Sequence, residues 1–232
     1  MSFALLVIFM FVVFGLTTLF RRWIDIPTLI AVAIGCACNS NIFTPLTTNP
    51  VIVGPFAFCI ENVLYTLFMY TIVVRILDYG YQQAKVMTFT SIAAILISAF
   101  IEMVALSISN GFSVGTFMNF SYYLFSCAGT IIGVWLMIVI TIQCRKKNIS
   151  SYLIIPFAII TSCLAHAILY YGGISLVNLR TDLYTLYLFL GAIVGKASCI
   201  LLCMVCYFIN QNYWKPLSLV KQEQEKVIKD EE

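Results

Sequence analysis

The chain has 232 residues, 62% of them hydrophobic and only 10% charged, with a net charge of +3. A soluble domain carries about 25% charged residues, so this composition excludes an ordinary water-soluble fold and makes a lipid bilayer the expected solvent. No nucleic-acid partner is expected of so apolar a chain.

The first apolar segment covers residues 3–20. No basic stretch precedes it, and Arg21 and Arg22 follow it, so it reads as a retained span rather than a signal peptide. About 20 apolar residues cross a hydrocarbon core of roughly 30 Å. Further segments of this kind follow at residues 27–43, 56–76, 86–107, 120–142, 152–171 and 184–208. The second is the shortest, giving seven spans with it and six without it. Turn-like stretches separate them, among them Thr44–Pro50 and Ser109–Gly115. After Trp214 the composition becomes charged, dividing a transmembrane bundle (1–214) from a cytoplasmic tail (215–232). The expected fold is an all-α polytopic membrane protein.

Cytoplasmic loops hold the excess of Lys and Arg. With seven spans, eleven of the thirteen basic residues fall on one side: Arg21, Arg22, Arg75, Lys85, Arg145, Lys146, Lys147 and the four lysines of the tail. Only Arg180 lies in an opposite loop, and Lys196 lies inside a span. The expected orientation is N-terminus outside and C-terminus in the cytoplasm of a cell-membrane protein. The short second segment is needed to keep this pattern.

Most of the cysteines (Cys36, Cys38, Cys59, Cys127, Cys163, Cys199, Cys203 and Cys206) sit within apolar runs and are expected to pack as small hydrophobes. No metal or other cofactor is expected, because one histidine and scattered cysteines lack the spacing of a closed site.

Ionisable groups inside the spans carry the functional signal, since each is costly in lipid. Lys196 lies deep in the last segment. Glu61, Glu102 and His166 fall in the outer halves of three others, Asn39 and Asn41 close the second, and Asn62 adjoins Glu61. Helical spacing puts Asn62, Tyr65, Thr66 and Met69 on one stripe. It likewise aligns Ser91, Ser98, Glu102 and Ala105; Ser162, His166 and Tyr170; and Ala192, Lys196, Cys199 and Cys203. Lys196 is expected to face Glu61 or Glu102. Gly191 and Gly195 form a GxxxG pair that permits close backbone approach. The cytoplasmic halves show no buried acid by this reading. A purely structural Lys–Glu pair is the plain alternative, as is a headgroup position for either glutamate.

No hydrolase, kinase or metal motif is present, so a non-enzymatic role is expected. A seven-helix receptor and an intramembrane enzyme are the weaker classes. An outer-half pocket lined by acids, Tyr65 and asparagines suits uptake of a small planar polar solute.

Asn39-Ser40-Asn41-Ile42, then Gly54-Pro55-Phe56 leading to Glu61, then the turn Tyr79–Lys85, and finally Gly195-Lys196 together resemble the VUT family of vitamin-uptake-type membrane proteins. That family includes queuosine-precursor transporters. The resemblance implies a 7-deazaguanine substrate, with Glu61 and Glu102 reading its donor edge. Asn39, Asn41, Asn62, Tyr65 and His166 would support it, and Lys196 would donate to a ring acceptor or serve as counter-charge. A related alternative is the substrate-binding subunit of an energy-coupling-factor importer, which requires a separate ATPase module because the chain has no Walker A motif. Homo-oligomerisation is also open.

Overall fold

The computed structural model describes residues 3–23, 51–111, 114–177, 183–215 and 219–220. The expected second span, the Thr44–Pro50 loop, Arg180 and most of the tail lie outside the described residues. Six long helices dominate: α1 (Phe3–Trp23), α2 (Ile60–Tyr79), α3 (Tyr81–Asn110), α4 (Val114–Lys146), α5 (Ser151–Val177) and α6 (Leu183–Asn212). Five of them are long and apolar enough to cross a membrane, and α1 contains a shorter apolar stretch, Phe3–Leu19. The chain is therefore a helical bundle of the membrane-spanning type.

The outer surface supports that conclusion. Phe11, Trp135, Phe157, Ile168 and Leu201 are exposed, the last at 70%. Apolar surface on this scale marks a membrane or partner contact in a soluble protein and is the ordinary outer face of a bundle in lipid. α2 differs from its neighbours because its residues Glu61–Ile76 are all buried. It is buried on every face, polar residues included, and forms the axis about which the others pack. Buried hydroxyls are largely satisfied within their own helices, as Thr18, Thr66, Thr130 and Thr141 each donate to the carbonyl four residues earlier.

Helix directions follow from end-to-end contacts. The Phe3 ring lies 6.0 Å from that of Phe58, just ahead of α2, and Arg21 is ion-paired with Asp78 near the end of α2. α1 and α2 thus run parallel. α6 runs the same way, with Cys199 against Met10 and Gln211 donating to Asp78. Arg145 donates to the Ile76 carbonyl, which brings the end of α4 to the same face. α3 and α5 return in the opposite sense; Tyr152 at the start of α5 meets Tyr207 late in α6. The described basic residues Arg21, Arg75, Arg145 and Lys146 all lie toward one face.

Three expectations are corrected. Residues 56–58 do not begin a helix: Val51–Val53 (β1) pairs antiparallel with Phe56–Phe58 (β2), and α2 starts only at Ile60. Gly54 takes φ +58° in the tight connection, which glycine adopts without steric penalty, and Pro55 fixes the next φ. The expected turn at Tyr79–Lys85 shrinks to Gly80 alone, at φ +82°, and helix resumes at Tyr81. On α3 the buried stripe is Ser91, Ile95 and Ala99, while Ala105 is exposed.

The GxxxG pair on α6 receives the hairpin rather than another helix. A Cβ at Gly191 would collide with the Ala57 backbone of β2, and one at Gly195 would lie 3.2 Å from Phe58. Only glycine lets β2 lie this close against α6.

Candidate functional site

Lys196 is 2% exposed, midway along α6. Its Nζ lies 3.1 Å from Nδ1 of His166 on α5 and 4.3 Å from the centre of the Tyr65 ring on α2. A charged lysine can only donate, so His166 Nδ1 accepts and the ring carries its proton on Nε2. The Tyr65 face supplies a second, weaker attraction through its quadrupole. Among the described residues, the direct partners of the Lys196 amine are thus an imidazole and an aromatic face. Glu61 is buried in the first turn of α2. The Glu102 side chain, Asn39 and Asn41 lie outside the described residues.

The expected stripe on α5 is present as drawn. Ser162 Oγ is 3.1 Å from the Tyr65 hydroxyl, His166 meets Lys196, and Tyr170 stacks on His166 with ring centres 5.8 Å apart. Tyr65 and His166 are tilted against each other at 4.4 Å. α5 extends to Val177, so His166 is placed mid-helix, deeper than the apolar run alone suggests. On α6, Ala192, Lys196, Cys199 and Cys203 share the buried face as expected.

Asn62 is 2% exposed, yet among the described residues neither its Oδ1 nor its Nδ2 has a hydrogen-bond partner. Such a group costs about 1–3 kcal/mol when left unmade, so its retention calls for a reason. It borders a cavity of about 100 Å³ between α1, the start of α2 and α6, together with Met10, Cys59, Gly195 and Cys199. Gly195 immediately precedes Lys196, so the unpartnered amide and the buried ammonium flank the same turn of α6.

Two features escape a linear reading. Gly129 and Gly133 form a second GxxxG pair, on α4, and they allow α5 to approach. A Cβ at Gly133 would sit 2.6 Å from the Tyr65 hydroxyl and 2.8 Å from Ser162 Oγ, and one at Gly129 would lie 3.2 Å from His166. The spacing was visible in the sequence and is the signal that could have found it. Gly133→Ala is therefore expected to lose about 1–3 kcal/mol by overpacking. Gly172→Ala, facing open space, should change little. Thermal unfolding of the two purified variants makes the comparison.

The second feature is a buried polar cluster at the opposite end of α2. Arg21 is fully buried and paired with Asp78, which also accepts from Gln211 at 3.3 Å. Arg75 lies over the Tyr79 ring at 4.1 Å. The Tyr70 hydroxyl and the Asn210 amide are buried in the same cluster. The expectation that this half of the bundle holds no buried acid is overturned by Asp78. Its helix continues past the apolar window and carries it inside.

Among the described residues, Cys127, Cys163, Cys199, Cys203 and Cys206 are buried and form no disulfide, and Cys59 is also buried. No family model, curated protein or solved structure matches this chain.

Proposed function

We propose that this chain is a multi-pass membrane transporter that takes up a small planar polar solute without changing it covalently. The observation that carries this reading is the convergence of Lys196, His166, Tyr65 and Asn62 from three helices at mid-depth, with the Asn62 amide unpartnered beside a cavity. An asparagine amide offers one donor and one acceptor, the complement of a lactam edge such as that of guanine or a 7-deazaguanine. Tyr65 and Tyr170 add ring faces, and Lys196 adds a donor for a ring acceptor. Ionisable groups inside spans mark solute or ion pathways by default. The resemblance to the VUT family supports the same substrate class, a queuosine precursor or vitamin-like compound. Placing the basic face in the cytoplasm puts Glu61 toward the outside, where solute arrives.

A cavity of about 100 Å³ is below the roughly 300–1,000 Å³ of ligand pockets, so this reading requires the site to widen on binding. Thermal-shift screening of the purified protein against nucleobases, 7-deazaguanines and vitamins tests it. A ligand at 100 times its dissociation constant adds about 2.7 kcal/mol. A 7-deazaguanine base should stabilise the protein more than adenine or a sugar does. Absence of stabilisation by every planar polar compound would sink the reading.

A further inference from the structure

We infer that the solute site lies beneath α1, at the cavity where Asn62 is unpartnered, and that α1 is its moving wall, latched at one end by the Arg21–Asp78 pair. The inference rests on the transport reading and adds to it the route by which the site opens.

The packing of α1 is one-sided. Phe3, Leu5, Ile8, Phe11, Val12, Leu16 and Leu19 are exposed, so most of the helix faces outward. Its inward face contributes Leu6, Val7 and Met10 to the wall of the cavity. Along most of its length the contacts that hold it are weak or apolar: ring packing of Phe3 on Phe58, Met10 Sδ at 3.4 Å from Cys199 Sγ, and the Phe14 carbonyl at 3.8 Å from Cys206 Sγ. Thr17 and Thr18 spend their hydroxyls on their own helix. Among the described residues, the strong polar attachment of α1 is Arg21, through Asp78, with Gln211 of α6 closing the group.

By contrast, α2, α4 and α5 are locked together by glycine-mediated contacts at Gly129 and Gly133 and by the Tyr65–Ser162 hydrogen bond. If the site is to widen, displacement of α1 breaks the least. It would expose the Asn62 amide and the Gly195–Lys196 turn together. Directly beside the latch, Arg21 Nε and Nη1 are buried without partners among the described residues. Those groups gain hydrogen bonds from water when the end of α1 moves, which lowers the cost of opening there.

Native cysteines report the movement without any solute. Cys199 and Cys206 face α1, whereas Cys127 is buried on α4, away from it. Reaction of the full chain with a small maleimide, read by mass spectrometry at each cysteine, is expected to be slow at all three sites. Asp78→Asn should speed Cys199 and Cys206 by about tenfold while leaving Cys127 unchanged, the mark of a local opening. Unchanged rates, or equal acceleration at Cys127, would overturn the latch. A second variant does not depend on that one folding well. Met10→Cys places a thiol opposite Cys199, and oxidation to the disulfide should abolish uptake of a 7-deazaguanine base, with recovery on reduction. Uptake by the cross-linked protein at the reduced rate would overturn the moving wall. If thiol opening is seen while no planar solute binds at all, the transport reading fails and the opening of α1 stands.

Discussion

Lys196→Met is expected to abolish solute uptake per folded molecule while leaving a protein that still folds. The opposing effects on stability are of similar size. The substitution forfeits a cation–π contact worth up to about 2 kcal/mol when desolvated and leaves His166 Nδ1 without its donor, at about 1–3 kcal/mol. It also removes the cost of holding an ammonium in low dielectric. The reverse truncation, His166→Ala, keeps the buried cation and takes away its hydrogen-bond acceptor, so it should destabilise more than Lys196→Met does. Uptake normalised to the folded fraction, measured for both variants and for Lys196→Met/His166→Phe, separates the roles. A cluster that only pins α5 to α6 would leave the double variant active. Near-normal uptake by folded Lys196→Met would reduce the lysine to helix packing.

Breaking the Arg21–Asp78 pair should give the largest loss of stability. Arg21→Met strands the Asp78 carboxylate in a site where both partners are almost fully buried, and removing one member of a buried pair costs roughly 3–5 kcal/mol. Replacing both, as Arg21→Met/Asp78→Leu, should recover most of that loss, because apolar groups of similar volume avoid the desolvation penalty. Denaturant unfolding in mild detergent measures both. A loss under about 1 kcal/mol for Arg21→Met would put the pair in the range of solvated surface ion pairs and remove the basis for a latch.

Much of the bundle was legible in the sequence because lipid forces long apolar helices and leaves few alternatives. The faces of α5 and α6 were legible for a further reason. Ser162, His166 and Tyr170, and likewise Lys196, Cys199 and Cys203, repeat at helical spacing, and burying a polar stripe in a bundle leaves it only inward to point. The contact of Lys196 with His166 was not legible. Periodicity ranks faces but not neighbours, and which groups meet the amine is decided only once the helices are packed. The hairpin was hidden for another reason. Val51-Ile52-Val53 and Phe56-Ala57-Phe58 are as apolar as a span, and the Gly54-Pro55 pair was the one mark of a turn. Asp78 was missed because hydropathy ends a helix where charges begin, whereas α2 continues to Tyr79.

The hydrogen bond from Arg145 to the Ile76 carbonyl, 2.7 Å long, has a further consequence. Ile76 lies in the last turn of α2, at the negative end of its macrodipole, and its carbonyl also accepts from the Gly80 N–H at 3.1 Å. α1, α2, α4 and α6 all end at this face, and Arg21, Arg75, Arg145 and Lys146 gather there. Their positive charges therefore complement four aligned dipoles. Glu61 occupies the opposite, positive end of α2, where an anion is favoured. Reversing these charges to flip the topology would thus also leave four helix termini facing charge of their own sign, so an inverted protein should be less stable even in a membrane that accepts it.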